Sequence, residues 1–365
     1  MKTLALHIIA RDSEETLCRT LESVKGLFDQ IVVVDTGSRD ATLEVAKDFG
    51  AETYEFEWID DFSAARNYAL SKVTCDWAMW LDTGDVLKPE NLSKLRELKK
   101  ADWFLTETTD LVWIHTNRLL DEWGNPRVTS IFPRIARMKA NPYWENRVHE
   151  VLSCQNPRYI VLDDVVIEDP YTDRENGAKR NLRILDQMIA DGDNSSRTKL
   201  YRARELRDVG RYDDAVLQFA DFLKVSGDNW EKYEALLDMG HCHAAIGNFA
   251  LTLQSWLNAI AYDPSSPEAW MLVADMHIRA GQFSKSIPFL RGALGAKKNH
   301  DGRPINPMVY DDAPYAGIAY AYAQMGENEK ALAHLKMAAQ VSDNPRKYDA
   351  EIIKARATLE SRKSL

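Results

Sequence analysis

Four glycines mark a repeat in the second half of the chain: Gly210, Gly247, Gly281 and Gly326. Seven residues before each glycine stands a small residue, five after it stands alanine, serine or threonine, and nine after it stands a bulky side chain. Small residues let two antiparallel helices approach closely, and bulky residues fill the seam between them. This pattern predicts stacked helical hairpins, in which each unit packs mainly on its neighbours.

The spacing of the glycines is close to the period of ~34 residues that tetratricopeptide repeats have. The last interval is longer because residues 295–311 carry an insertion with Pro304 and Pro307. We therefore predict an all-α, tetratricopeptide-like solenoid over residues 173–365. Two roles are open for it: a scaffold for the rest of the chain, or a surface that binds a protein partner or an acceptor molecule.

The first 172 residues have a different pattern, in which short apolar runs alternate with amphipathic segments. Leu4–Ala10 and the β-branched run Ile31–Asp35 indicate buried strands, and Glu14–Lys25 between them indicates a helix. Trp77–Leu81 indicates a later strand. This alternation predicts an α/β domain with a mainly parallel sheet over residues 1–172, whose ligands should gather at the carboxyl ends of the strands.

Charge, apolar runs and cysteine content limit the partners and the cellular location that we expect for this chain. The net charge of −10 disfavours general electrostatic binding to nucleic acid or to anionic membranes. The apolar runs are far shorter than the ~20 residues of a membrane span, and we interpret the first one as a buried strand and not a signal peptide. The four cysteines are scattered and suggest no disulfide framework, so we expect a cytoplasmic protein.

The first candidate binding segment follows the strand that ends at Asp35. The chain turns at Gly37 and Ser38 and starts a helix, for which Asp40 is the expected N-cap. A carboxylate at such a strand end can accept hydrogen bonds from a base or a ribose, and the amides of the turn can face a ligand. The alternative is that these residues serve only the chemistry of an ordinary turn.

A second polar segment lies at the start of the next predicted helix, where Ser63 is the expected cap. Arg66 and Asn67 then fall in its first turn, and the planar guanidinium of arginine suits a diphosphate. The structural alternative is a surface ion pair between Arg66 and Asp61.

The third segment places two acids, Asp82 and Asp85, at the turn after a hydrophobic strand. Carboxylate oxygens are preferred ligands of hard cations such as Mg²⁺ or Mn²⁺. Such an ion would bridge the phosphates of a sugar nucleotide and stabilise the departing diphosphate.

Together these segments resemble the family 2 glycosyltransferases of the GT-A fold, in particular the branch with lipopolysaccharide core and peptide S-glycosyltransferases. The matching stretches are Ile8–Glu15, Val34–Asp40, Asp61–Asn67, Leu81–Asp85 and Val148–Glu150, followed by the repeats. The resemblance implies a hexosyltransferase. It would move a sugar from a nucleotide-diphosphate donor, most simply a UDP-sugar, to a glycan, peptide or nucleic-acid acceptor with inversion.

Position by position, the resemblance implies that Asp35 contacts the uracil or the ribose, and Ser38 is expected to bind the donor beside it. Arg66 and Asn67 match the motif beside the nucleotide, and Asp82 matches the first acid of the DxD motif. We expect all five residues in the donor site.

The DxD motif departs from the family pattern at its second acid. Gly84 stands where the direct metal ligand is expected, and Asp85 takes the place of the usual glutamate. The expectation is that Asp82, Asp85 and His149 hold Mn²⁺ or Mg²⁺, and that Asp85 is catalytic by this means. A metal-independent enzyme is the alternative, and His149 also admits a purely structural role.

Two further residues complete the expected site. Glu150 matches the carboxylate that would deprotonate the acceptor as a general base. Arg134 is expected either to contact phosphate or to pair with Glu150. The tryptophans Trp103, Trp113, Trp123 and Trp144 could stack on a sugar or base, or pack in the core.

Two other classes of function stay open at this point. Gly84 favours an inactive glycosyltransferase fold that binds partners through its repeats. A glycosyltransferase acting on modified nucleobases in DNA is disfavoured by the acidic net charge, although Lys297–His300 could contact phosphate.

Overall fold

A computed structural model describes residues 2–101, 104–120, 126–170, 174–296, 305–342 and 344–363. The chain divides into two compact units. The first is Met1–Asp173 with His300–Ile305, and the second is Arg174–Asn299 with Asn306–Leu365. Within the described ranges, no helix has the length and apolar character needed to cross a membrane.

The first unit is an α/β domain. Its strands are β1 (Leu4–Ala10), β2 (Gln30–Asp35), β3 (Glu52–Glu55), β4 (Trp77–Trp80), β5 (Val86–Leu87), β6 (Leu111–Leu120), β7 (Pro126–Arg137), β8 (Tyr143–Glu145), β9 (Val151–Ser153) and β10 (Tyr159–Asp169), and its helices are α1 (Glu14–Ser23), α2 (Thr42–Asp48), α3 (Phe62–Leu70) and α4 (Pro89–Lys100).

The main sheet has the strand order β3-β2-β1-β4-β7-β6-β10-β5, and β8 pairs with β9 separately. Strands β1 to β4 are parallel to one another, as are β6 and β10, whereas β7 runs antiparallel to both of its neighbours. The prediction of a mixed, mainly parallel sheet is therefore confirmed. The isolated residue Ile305 also pairs with Thr129 of β7 in an antiparallel bridge.

The burial of β1 and β2 in the core of this unit explains why both strands could be predicted from the sequence. In β1, every residue except the half-buried Ile9 is buried, and in β2 the run Val32–Val34 is fully buried. Helix α1 packs one apolar face, Leu17 and Leu21, into the same cluster. Strands buried on both faces need continuous apolar sequence, which is the pattern predicted for a parallel sheet.

The second unit consists of helical hairpins. Its helices are α5 (Arg174–Ala190), α6 (Ser196–Asp208), α7 (Tyr212–Val225), α8 (Asn229–Ala245), α9 (Phe249–Tyr262), α10 (Pro267–Arg279), α11 (Phe283–Leu294), α12 (Ala313–Gln324), α13 (Asn328–Val341) and α14 (Asp349–Lys363). The repeat glycines lie between paired helices with positive φ, from +69° to +78°, where a side chain would be strained. The predicted helical repeats are confirmed.

Close helix approach also follows the predicted pattern. A β-carbon placed on Gly240 of α8 would lie 2.2 Å from the indole nitrogen of Trp256 on α9. The small residue of one helix therefore receives the bulky residue of the next. In the predicted insertion, residues 307–309 form a short 3-10 helix that contacts α10 and α12, whereas Pro304 lies outside the described residues.

Candidate functional site

The candidate site lies at the carboxyl edge of β1, β2 and β4. In the sheet register Asp35 of β2 is paired with Ala10, and Trp80 of β4 is paired with His7. The polar residues that follow these strands therefore reach the same edge, where open parallel sheets bind their ligands.

Arg66 is the centre of this site. Its guanidinium donates from Nε to Oε1 of Glu150 at 2.6 Å and from Nη2 to Oδ1 of Asp82 at 2.5 Å. The Arg66 side chain is only 5% exposed, whereas that of Asp82 is 49% exposed. The structure thus brings together three of the predicted residues, which lie far apart in the sequence.

The charges of Arg66, Asp82 and Glu150 stabilise one another. Burial by itself would lower the pKa of Arg66, but the carboxylates of Asp82 and Glu150 outweigh burial and raise it. Burial by itself would raise the pKa of Asp82, but Arg66 and then Arg134 hold it below its usual value. At neutral pH, Arg66 is therefore a fixed cation with two carboxylates on one guanidinium.

Two tryptophans enclose the guanidinium. The Cζ atom of Arg66 lies 4.8 Å from the ring centroid of Trp80 and 4.7 Å from that of Trp144. The two rings meet edge to face, at 80° with centroids 5.1 Å apart, so Arg66 sits in the corner between them. Such contacts are favourable for a cation, and more so where water is excluded.

Asn67 forms two hydrogen bonds with the backbone of Trp144. Its Nδ2 donates to the Trp144 carbonyl at 2.8 Å, and its Oδ1 accepts from the Trp144 amide at 2.8 Å. The helix that carries these residues begins at Phe62, and its cap is Asp61, whose carboxylate accepts from the amide of Ala64 at 2.9 Å. The expected Ser63 cap and the Arg66–Asp61 pair are therefore wrong.

Asp85 lies beneath this site, out of contact with solvent. Its Oδ2 accepts from Nη1 of Arg134 at 2.8 Å and from the amide of Asp82 at 2.9 Å, and both ionic side chains are at most 3% exposed. Burial raises the pKa of Asp85 to about 6, although Arg134 opposes that rise. Arg134 therefore pairs with Asp85. The expected pair between Arg134 and Glu150 is wrong.

Gly84 allows this inward turn. Its φ of +112° is disfavoured for residues with a side chain, and its amide donates to Oγ1 of Thr20 at 2.9 Å. The amide of Asp85 also bonds the carbonyl of Asp82 at 3.1 Å, which closes the turn. The glycine that breaks the DxD pattern is thus the residue that directs Asp85 inwards.

The expected metal ligands do not converge. Asp82 is paired with Arg66, Asp85 is buried with Arg134, and His149 is half-buried in the loop before Glu150 with a φ of +54°. Over the described part of the chain, no three histidine, cysteine, aspartate or glutamate side chains form a group that could hold a metal ion. The residues present do not fit a preformed divalent-metal site.

Asp35 and Ser38 form the turn after β2. Asp35 is 4% exposed, and its carboxylate accepts from the amides of Gly37 and Ser38, both at 3.0 Å, and from the Ser38 hydroxyl. Asp40 lies just before α2 and accepts from the amides of Glu14 and Thr42, which ties α1 to α2. The side chains of this segment therefore shape the edge of the site through their backbone contacts.

His7 belongs to the site, although no functional role was predicted for it. It is 1% exposed, its ring meets that of Trp144 with centroids 6.4 Å apart, and neither ring nitrogen has a hydrogen-bond partner among the described residues. Burial, helped by the charge of Arg66, lowers its pKa to about 3. The available signal was a histidine interrupting an otherwise apolar strand.

Of the tryptophans singled out above, Trp144 is part of the site. Trp113 instead contacts Tyr159, with ring centroids 5.7 Å apart. Trp103 and Trp123 lie outside the described residues. Trp80 was not predicted as a site residue, because a tryptophan inside a hydrophobic strand indicates a position in the core.

In a comparison with known proteins, the models of two protein families match parts of the chain. The model of Glycosyl transferase family 2 matches residues 6–151, and that of Tetratricopeptide repeat matches residues 234–301. The SPbeta prophage-derived glycosyltransferase SunS of Bacillus subtilis is 25% identical over 240 residues, which are 63% of this chain and 54% of SunS. A TPR repeat-containing protein of Synechococcus elongatus is 45% identical over 96 residues, 26% of this chain and 24% of that protein.

Among solved structures, S. aureus TarS is similar over 72% of this chain and 53% of its own, with 16% identity and a TM-score of 0.35. The chain spans only about a quarter to a half of the length of the curated relatives described above.

Proposed function

We propose that this chain, which carries a family 2 glycosyltransferase domain followed by tetratricopeptide repeats, transfers a sugar from a nucleotide-diphosphate donor to an acceptor. The observation that carries the proposal is the cluster of Arg66, Asp82 and Glu150 at the carboxyl edge of the sheet. A cation and two acids in one place supply the groups that such a reaction needs.

Arg66 would meet the diphosphate, because its planar guanidinium matches phosphate oxygens. As the bond between the anomeric carbon and the β-phosphate oxygen breaks, its electron pair moves to the diphosphate, and a fixed positive charge stabilises it. Asp82, the most exposed acid of the cluster, would bind hydroxyl groups of the donor. We propose a UDP-sugar as donor, with the backbone of the Asp35–Ser38 turn beside the nucleoside.

Glu150 would act on the acceptor. It would take the proton from the attacking hydroxyl or thiol while the new bond to the anomeric carbon forms. Attack from the side opposite the leaving diphosphate inverts the configuration at that carbon. The repeats would bind the acceptor or a protein that presents it.

One observation favours a second candidate, a binding protein without transferase activity. Asp85, the remaining acid of the altered motif, is buried against Arg134 and does not face solvent. Such a protein would bind a nucleotide sugar without consuming it, so the same experiments distinguish the two functions.

The test is nucleotide binding followed by donor turnover. Calorimetry with UDP, GDP and CDP should show binding of UDP, and the Arg66→Ala variant should weaken it by about 10- to 100-fold, as expected for loss of a charged hydrogen-bond donor. Arg19→Ala, which removes an exposed arginine of α1, is the matched control and should bind as the wild type does.

Slow hydrolysis of a UDP-sugar by the wild type would establish catalysis of donor cleavage. Binding without hydrolysis or transfer would favour the binding protein. Failure of the wild type to bind any of the nucleotides would refute the proposal.

A further inference from the structure

We infer that Asn67, Trp80 and Trp144 are positioning residues that hold the Arg66 guanidinium in the orientation that receives the donor diphosphate. This inference rests on the proposed function. None of the three needs to touch the donor, since each acts through Arg66.

The Arg66 side chain has little conformational freedom. An arginine side chain has many rotamers, and ordering it on binding costs free energy. Here the guanidinium lies 4.8 Å and 4.7 Å from two perpendicular indole rings, and the side chain is only 5% exposed. Its orientation is therefore fixed before any ligand arrives, which is what preorganisation requires.

The Trp80 and Trp144 rings differ in how firmly they are held. The indole nitrogen of Trp80 donates to the carbonyl of Pro133 at 2.6 Å, and the guanidinium of Arg134 lies 3.8 Å from the Trp80 ring centroid. Trp80 is thus anchored within the sheet. Trp144 belongs to the short strand β8, whose other residues, Tyr143 and Glu145, are exposed. It has much less support from its own element.

Asn67 anchors Trp144. Its side-chain amide donates one hydrogen bond to the backbone of Trp144 and accepts another from it. Paired residues of neighbouring antiparallel strands exchange hydrogen bonds in the same way. Neighbouring helix residues point about 100° apart, so one turn of α3 presents both Arg66 and the anchor of its aromatic neighbour. The amide of Phe62 adds a 2.8 Å bond to the carbonyl of Arg147.

Helix α3 therefore holds the segment from Trp144 to Glu150 at two points while it carries Arg66. The cation and the proposed base are positioned by the same short helix. A loss of the Asn67 contacts should change donor affinity as well as stability, because it frees the ring that orients the guanidinium.

The closing experiment uses Asn67→Asp in the full chain. The substitution keeps the size of the side chain but replaces the donor to the Trp144 carbonyl with an acceptor, so the pair repels. We expect Kd for UDP, measured by calorimetry, to rise about 10-fold. Asn156→Asp, at an exposed asparagine of the same unit, should leave Kd unchanged.

A double-mutant cycle separates positioning from a general loss of structure. In an Arg66→Ala background, Asn67→Asp should have no further effect on UDP binding, because the group it positions is gone. Trp144→Phe, which keeps a ring beside Arg66, should bind UDP more tightly than Trp144→Ala. These tryptophan variants provide the answer if Asn67→Asp does not fold.

Additive effects in the cycle, or unchanged UDP affinity in folded Asn67→Asp and Trp144→Ala, would overturn the inference while leaving the proposed function in place. If the wild type binds no nucleotide, the proposed function fails and this inference fails with it.

Discussion

Replacing Glu150 with glutamine should strengthen nucleotide binding and weaken catalysis. Arg66 carries one positive charge, yet Glu150 and Asp82 both bond it, at 2.6 Å and 2.5 Å. A diphosphate that approaches Arg66 must compete with the negative charge of these carboxylates, which already occupy Nε and Nη2. Glu150→Gln keeps the size of the side chain and an oxygen acceptor but removes the competing charge.

The magnitude follows from the burial of the pair. Hydrogen bonds to charged groups contribute about 1.5–3 kcal/mol, and the Arg66 and Glu150 side chains are only 5% and 12% exposed, so solvent screens them little. Glutamine would retain part of this bond, so we expect a gain of roughly 1.4 kcal/mol, which is about a tenfold lower Kd for UDP. Loss of the proposed general base should slow transfer by about 10²- to 10⁴-fold.

Calorimetry with UDP measures the first effect, and transfer or hydrolysis of a UDP-sugar measures the second. Glu145→Gln, at an exposed glutamate of β8, is the matched control and should change neither value. Weaker UDP binding by Glu150→Gln would mean that Glu150 assists the donor. Unchanged binding would mean that the diphosphate does not use the Nε side of Arg66, and either result refutes the reasoning.

Three further predictions concern stability. His7 stays neutral in the folded protein down to about pH 3 but takes up a proton below about pH 6.5 when unfolded, so stability falls as the pH drops through that window. Between pH 7 and pH 5 the wild type should lose about 2 kcal/mol more unfolding free energy than His7→Phe. Asp85→Ala should cost about 3–5 kcal/mol, because it leaves Arg134 buried without its partner. Gly240→Ala should cost about 1–3 kcal/mol through its clash with Trp256.

Denaturant unfolding measures all three. Equal pH dependence of wild type and His7→Phe would show that the His7 ring can take up a proton in the folded state. A cost below about 1 kcal/mol for Asp85→Ala would mean that water reaches Arg134. Gly227→Ala is the control for the third prediction, since a β-carbon there meets no atom within 4 Å; equal effects of both glycine substitutions would contradict the close helix approach.

The predictable parts of the fold are those whose pattern is local. Strands β1 and β2 are buried on both faces, and each repeat glycine sits in its own hairpin, so a short window of sequence contains the whole signal. Strands β6, β7 and β10 gave no such signal. Leu111 of β6 pairs with Tyr159 of β10 in parallel and with Ala136 of β7 in antiparallel fashion, and these partners are distant in sequence.

The site residues divide in the same way, into those that a local motif indicates and those that depend on distant parts of the chain. The motif pattern pointed to Arg66, Asp82 and Glu150 as candidate site residues, and the structure places Asp82 and Glu150 on the Arg66 guanidinium. It could not foresee that Asp85 turns inwards, since this depends on the backbone of Gly84 and on Arg134 from a distant strand. The role of Asn67 was equally hidden, because a backbone partner leaves no trace in side-chain identity.

Ile305 has a consequence for how this chain can be divided. It lies beyond α11 in sequence but belongs to the first unit, where its amide and carbonyl each bond Thr129 at 2.9 Å. The first unit is thus assembled from two separate stretches of the chain. A fragment that stops at residue 173 would expose the Thr129 amide and carbonyl of β7. Recombination that exchanges the repeats as a cassette would therefore also replace a small part of the first unit.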